Sequence, residues 1–139
     1  MKNLYKLSLI SVITVFVCTS ACVFNKYHDV AVKELGDYIY LKTYNLEYNT
    51  DDHEVSYVFT KNTHYKFVFA NDVLTEDVKM VLYDNNRNEI CSNYVPKMQK
   101  MYNKVGFNCT ATGVYYITFN FVNPKKTKCA SVALGFKKL

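Results

Sequence analysis

Tryptophan is missing from this chain of 139 residues, and glycine, proline and histidine are scarce, with four, two and three residues respectively. The sequence contains no glycine-rich phosphate loop, no nucleophile elbow and no zinc-ligand spacing. These absences remove the recognisable signatures of nucleotide-binding enzymes, serine hydrolases and zinc enzymes. No cofactor is therefore expected.

An excess of charge of one sign is also missing. Lys2 and Lys6 account for two of the 17 basic residues, which leaves 15 basic residues against 12 acidic ones in the rest of the chain. A protein that binds nucleic acid through its phosphates needs a larger or more clustered excess of Lys and Arg. No nucleic-acid partner is expected.

Aromatic residues are plentiful, with 13 Tyr and 9 Phe, and 50% of all residues are hydrophobic. This is enough material for one packed core in a chain of this length. Tyr, Phe, Val, Ile and Thr pack well against their neighbours on a pleated sheet. The composition therefore predicts a single folded domain that is mainly β.

The first 21 residues have the pattern of an export signal. Lys2 and Lys6 precede an apolar run from Leu7 to about Val17, and small residues follow it. The run is shorter than the roughly 20 apolar residues that a membrane-spanning helix needs. Residues 1–21 are therefore predicted to be a cleaved signal peptide.

The end of this leader, Ser20-Ala21-Cys22, resembles the lipobox of bacterial lipoproteins, with Thr19 at the position where leucine is usual. The resemblance implies acylation of the Cys22 thiol, attachment to a membrane through the lipid, and a location in the bacterial cell envelope on the periplasmic or outer-membrane face. Ordinary signal-peptidase cleavage after Ala21 produces the same N-terminus without a lipid, and the protein is then secreted.

Residues 22–36 are predicted to be a tether with a short helical turn, and residues 37–139 to be the folded domain. Short apolar runs in this domain alternate with clusters of Asn, Asp, Lys and Gly. This spacing predicts an all-β, antiparallel, jelly-roll-like sandwich of about eight strands. The predicted strands are Tyr38–Tyr48, Glu54–Thr60, His64–Ala70, Val78–Tyr83, Glu89–Tyr94, Lys104–Cys109, Val114–Val122 and Cys129–Lys137.

Alternation with a period of two is clearest in three of these strands, and it predicts which side chains face the core. The predicted core sets are Tyr65, Phe67 and Phe69; Tyr115, Ile117, Phe119 and Phe121; and Val132, Leu134 and Phe136.

Two segments carry a second resemblance. A strand that ends in Tyr83-Asp84 is followed by a polar turn and then by a strand that reads Thr-Gly-Val-Tyr-Tyr-Ile from Thr112. This order is similar to that of the C-terminal β-sandwich domains attached to secreted bacterial peptidases. The resemblance implies a non-catalytic accessory role.

Three cysteines lie beyond Cys22, and one disulfide with one free thiol is the arrangement expected in an exported protein. Cys109 and Cys129 are the preferred pair because they flank the strand predicted at residues 114–122. The pairs Cys91–Cys109 and Cys91–Cys129 remain open. No histidine has a sequence context that marks Cys91 as a catalytic nucleophile.

Four tyrosines share one parity of the first predicted strand, and such a row is a candidate aromatic platform for a sugar or a peptide. They are Tyr38, Tyr40, Tyr44 and Tyr48.

The segment Asp51-Asp52-His53-Glu54 concentrates oxygen and imidazole groups and is a weak candidate for a divalent cation site, whereas a solvated turn is the simpler interpretation. No other candidate metal ligands are expected.

These features favour a non-enzymatic, lipid-anchored envelope module that binds a protein or glycan partner. The alternatives are a small secreted enzyme or enzyme inhibitor, and an accessory subunit of an envelope complex. A pocket that gathers the Asp51–Glu54 segment with Cys91 would favour the enzyme.

Overall fold

The computed structural model describes residues 22–48, 53–71, 77–124 and 127–139. The predicted signal peptide therefore lies outside the described residues. The described part begins with one α-helix, α1 (Phe24–Leu35), and continues with strands only, apart from a single 3-10 turn at Pro96–Met98. The strands are β1 (Ile39–Glu47), β2 (Glu54–Phe59), β3 (Thr63–Asn71), β4 (Val78–Tyr83), β5 (Glu89–Ser92), β6 (Tyr94–Val95), β7 (Lys100–Met101), β8 (Lys104–Cys109), β9 (Gly113–Phe121) and β10 (Cys129–Lys138).

Eight of these strands form two four-stranded sheets, in the orders β1-β10-β3-β8 and β2-β9-β4-β5. The first strand pairs with the last, β2 with β9, β3 with β8, and β4 with β5, and every pair is antiparallel. This nested pairing is that of a long hairpin rolled into two sheets, which is the jelly-roll arrangement. The predicted antiparallel jelly-roll sandwich is therefore confirmed.

The core lies between the two sheets, and the alternation of the strands fills it. All the residues of the three predicted core sets belong to this cluster or pack against it. Phe59 lies at its centre, where its ring contacts those of Tyr65, Phe107 and Tyr115 at centroid distances between 4.4 and 5.4 Å. Edge-to-face and tilted packing of this kind adds about 0.5–1.5 kcal/mol per pair to the burial of apolar surface.

Residues 22–36 do not form the predicted tether. Helix α1 packs against β10 and β3 on the outer face of the first sheet. Its buried residues are Tyr27, Ala31 and Leu35, a spacing of four that places them on one side of a helix. The folded domain therefore begins at the first described residue, and burial of this apolar stripe is what orders the segment.

Both ends of α1 are fixed to the sheet. At the C-terminus, the Lys66 ammonium donates hydrogen bonds to the carbonyls of Glu34 and Leu35. A positive charge at this end also interacts favourably with the negative end of the helix dipole. At the N-terminus, Cys22 forms a disulfide with Cys129, the first residue of β10, with a Cα–Cα distance of 5.8 Å.

The predicted Cys109–Cys129 disulfide is therefore wrong. Strand β3 separates the strands that carry these two cysteines. Cys109 lies opposite Thr63 at one end of β3, and Ala130, the neighbour of Cys129, lies opposite Asn71 at the other. Eight residues of extended strand span about 27 Å, far beyond the reach of a disulfide. Cys91 and Cys109 are free thiols.

A small hairpin, β6–β7, projects between β5 and β8, and a buried asparagine holds its base. The side-chain oxygen of Asn93 accepts from the Met80 amide, and its NH2 group donates to the carbonyls of Val78 and Tyr102. Asn93 is 2% exposed, so these three bonds satisfy an amide that water cannot reach.

Candidate ligand-binding cleft

A recess rich in aromatic residues lies at the edge of the sandwich, where β1 and β2 are the outermost strands of their sheets. We call it the edge cleft. Its volume is about 290 Å³, which is close to the lower end of small-molecule sites. Its lining residues are Leu41, Tyr57, Val58, Thr60, Thr63, Tyr65, Phe136 and Lys138.

The lining combines aromatic rings with hydroxyl groups and one positive charge. Tyr65 is held in place because its hydroxyl accepts a hydrogen bond of 3.0 Å from the Thr60 amide. Tyr57 is half-buried, and burial raises the pKa of its hydroxyl, which therefore stays a neutral donor and acceptor. Lys138 is the only charged residue of the lining.

A buried hydroxyl lies close to the cleft. Tyr44 is 7% exposed, and its hydroxyl is the one buried side-chain polar atom among the described residues that has no hydrogen-bond partner. Burial raises the pKa of Tyr44, and the neighbouring Tyr57, which lines the cleft, raises it further. A buried hydroxyl without a partner costs about 1–3 kcal/mol. Tyr44 therefore carries an unsatisfied polar group, and it interacts with a residue of the cleft lining.

The predicted tyrosine platform does not form on one face. A bulge between Tyr40 and Lys42 changes the parity of β1. Tyr40 lies on the helix side, where its ring contacts His28, whereas Tyr44 points into the core against Phe119. Tyr38, which precedes β1, packs with the helix cluster, and Tyr48, which follows β1, contacts Phe121. None of the four lines the edge cleft, and Tyr44 interacts electrostatically with one lining residue, Tyr57.

Only two of the four weak metal candidates belong to the described residues, and these two contact different groups. Asp51 and Asp52 lie outside the described residues. The His53 ring contacts Phe121 at 5.6 Å, and the Glu54 carboxylate forms a two-pronged ion pair with Arg87. In the described ranges no three His, Cys, Asp or Glu residues are grouped so as to hold a metal ion.

The Arg87 side chain extends across the outer face of the second sheet and contacts two of its strands. Arg87 lies in the β4–β5 turn with a left-handed backbone (φ 65°). Its guanidinium lies 3.8 Å from the centre of the Tyr116 ring on β9 and reaches Glu54 on β2. The ion pair lowers the pKa of Glu54 and raises that of Arg87. No sequence motif predicts this contact between the turn and the sheet, because the pairing of distant strands creates it.

Glu54 and Cys91 do not meet in a pocket. They lie on β2 and β5, the two opposite edge strands of the second sheet, with β9 and β4 between them. Burial raises the pKa of the Cys91 thiol to about 11, which is the opposite of what a nucleophilic cysteine needs. The other free thiol, that of Cys109, is buried and donates a hydrogen bond to the Ala111 carbonyl.

A second recess, of about 310 Å³, lies beside the β4–β5 turn and the β8–β9 turn. Its only carboxylate, Asp84, accepts hydrogen bonds from the backbone amides of Asn86 and Asn88 and from the Asn88 side chain. These bonds lower the pKa of Asp84. Because the Asp84 carboxylate already accepts three hydrogen bonds within the turn, it has little remaining capacity to bind a ligand.

Across the described ranges, no helix is both long enough and apolar enough to span a membrane. No family model matches the chain, and no curated protein matches it significantly.

Proposed function

We propose that this protein is an exported, non-enzymatic binding module that holds a sugar ring of a glycan partner in its edge cleft. The observation that carries the proposal is the lining of that cleft, which presents aromatic surface and hydroxyl groups together. The resemblance of the β4 and β9 segments to accessory domains of secreted peptidases supports a non-catalytic role.

A sugar ring has apolar faces of C–H groups and a polar edge of hydroxyls. Tyr57, Tyr65 and Phe136 offer apolar ring surface in the cleft, and Thr60 and Thr63 offer hydroxyls beside it. Binding sites of this class are mostly apolar recesses with a few placed polar groups. Tyrosine suits both needs because one end of its side chain is apolar and the other is polar.

Export is part of the proposal, and the cysteines bear on its form. Disulfides persist in oxidising compartments, so the Cys22–Cys129 bond supports a location outside the cytoplasm. One sulfur atom cannot hold both a disulfide and a thioether-linked lipid. We therefore favour cleavage after Ala21 without lipidation. The lipid-anchored envelope protein is the alternative, and in it Cys129 has a free thiol.

Enzyme activity and subunit assembly are the weaker alternatives. The elevated pKa of Cys91 and the separation of Cys91 from Glu54 argue against a catalytic group built from them. Among the exposed apolar residues of the second sheet, Val58 and Val114 are paired with each other, whereas Ile90 lies apart from them on the opposite edge strand, β5. Neither alternative accounts for the edge cleft.

The test is a titration of the disulfide-bonded chain from residue 22 to residue 139 with neutral and acidic oligosaccharides, followed by NMR. Binding is expected to move the amide signals of β1, β2 and the C-terminal end of β10. Tyr57→Ala is expected to weaken binding at least tenfold. Tyr40→Ala, which removes an exposed tyrosine on the helix side, is the matched control and should bind normally. Failure of every sugar to bind would overturn the proposal.

A further inference from the structure

We infer that the edge cleft selects a sugar residue that carries a carboxylate, with Lys138 as its counter-ion. This inference rests on the proposed function and adds a substrate class to it. The relevant observations are the distribution of charge around the cleft, the contrast between two neighbouring lysines, and the hydroxyls that surround Lys138.

The cleft has a positive charge and no negative charge in its lining. Lys138 is the one ionisable residue there apart from the two tyrosines. An anionic ligand therefore meets attraction from Lys138 without repulsion from a carboxylate of the lining.

Lys138 differs from its neighbour in the use of its charge. The Lys137 ammonium pairs with the Asp37 carboxylate, which lowers the pKa of Asp37 and raises that of Lys137. None of the ion pairs found in the described ranges includes Lys138. Adjacent strand residues point to opposite faces, so one lysine holds the start of β1 while the other faces the cleft.

The surrounding hydroxyls fit the remaining polar atoms of such a ring. Tyr57 and Thr60 present hydroxyls within the lining. The hydroxyls of the lining would serve neutral and acidic sugars alike. A carboxylate would gain more from Lys138 than a neutral hydroxyl, because a charge-assisted hydrogen bond is roughly twice as strong as a neutral one.

The test compares uronic acid oligomers with their neutral parents. Oligomers of galacturonic, glucuronic and mannuronic acid, and the corresponding galactose, glucose and mannose oligomers, are titrated into the disulfide-bonded protein by calorimetry and NMR. We expect one acid to bind about tenfold more tightly than its neutral parent, which corresponds to about 1.4 kcal/mol. The preference should shrink as salt is raised.

Two variants isolate the charge. Lys138→Gln is expected to abolish the preference for the acid, because the affinity for the acid then falls to about that of the neutral parent. Lys137→Gln removes a neighbouring charge of the same strand and should keep the preference. Poly-glutamate is the control for general attraction to polyanions and should not bind at the cleft.

Each outcome decides a separate claim. Equal affinity for acid and neutral sugar would overturn the inference and leave the proposed function standing. Loss of the preference in both lysine variants, or equal binding of poly-glutamate, would show general charge attraction and overturn the role of Lys138. Absence of binding by every sugar would overturn the proposed function itself.

Discussion

Asn93 shows how a single side chain fixes a part of the fold that apolar packing leaves open. Its three hydrogen bonds join β4 to the base of the β6–β7 hairpin. Nothing in the local sequence marks it, because it stands among many asparagines in a polar stretch. Its importance comes from burial, which only the pairing of β4 with β5 creates.

We predict that Asn93→Ala destabilises the protein by about 2–4 kcal/mol, because the change removes the hydrogen bonds of the Asn93 side chain to the Met80 amide and to the carbonyls of Val78 and Tyr102. Chemical denaturation followed by circular dichroism measures this loss. Asn103→Ala, in an exposed asparagine near the same hairpin, is the control and should change stability by less than about 0.5 kcal/mol. Equal effects of the two changes would contradict the role of Asn93.

The raised pKa of the Cys91 thiol predicts a loss of stability at alkaline pH. Its pKa rises from 9.0 to about 11 on folding. The folded state therefore keeps a proton that the unfolded state releases, and this contribution is complete below about pH 9 and is lost as the pH rises to 11. A pKa shift of this size corresponds to roughly 2–3 kcal/mol of folding stability.

The measurement is the free energy of unfolding between pH 8 and pH 11.5 for the wild type and for Cys91→Ala. The variant should be less stable at pH 8, because it lacks buried sulfur, but its stability should fall less steeply with pH. Tyr44, whose pKa is also raised, is present in both proteins, so the difference in slope belongs to Cys91. Parallel curves would contradict the burial of this thiol.

Among the elements, helix α1 depends most on close contact with the sheet. Gly135 of β10 lies beneath its C-terminal end, and a Cβ there would lie 3.0 Å from Leu35 Cδ2 and 3.1 Å from the Ile39 carbonyl oxygen. The backbone atom cannot move aside as a flexible side chain can. The sheet thus tolerates the helix at this distance because residue 135 lacks a side chain.

Gly135→Ala is expected to push α1 outward and to destabilise the protein by about 1–3 kcal/mol. Gly113→Ala is the matched control, because no atom lies within 4 Å of a Cβ added there. Hydrogen exchange should speed up in α1 for the first variant and remain unchanged for the second. Normal protection of α1 in Gly135→Ala would contradict this packing.

The strands were predictable because their signal is local. The predicted bounds of β4 and β8 match the structure residue for residue, and the other main strands differ by a residue or two at their ends. Alternation of apolar and polar residues depends only on the pleat, and burial of one face enforces it. The spacing of four residues between Tyr27, Ala31 and Leu35 is also a local signal of a helix, but it was overlooked because this segment was interpreted as a tether.

The candidate site was less predictable, because distant segments build it. The edge cleft takes residues from β1, β2, β3 and β10, and no motif joins them in the sequence. The bulge after Tyr40 breaks the parity on which the tyrosine platform depended. The disulfide was missed for a different reason, since the assignment of Cys22 to a lipid removed it from the possible pairs.

At the scale of the whole molecule, the disulfide joins the beginning of the described chain to its last strand. Cys22 and Cys129 are 107 residues apart, so the bond restricts almost the entire unfolded chain. In the chain-entropy account a loop of about 100 residues is stabilised by roughly 4.7 kcal/mol. The bond also holds α1 against the sheet, and it supports the proposed export to an oxidising compartment.

The measurement that tests the account most directly is mass spectrometry of the protein isolated from its native source, digested without reduction. We predict a mature chain that begins at Cys22 with no acyl group, and a peptide pair that joins Cys22 to Cys129. A chain that still begins at Met1 without the disulfide would contradict the proposed export. An acylated Cys22, or a peptide that joins Cys109 to Cys129, would contradict the arrangement of helix and sheet described above.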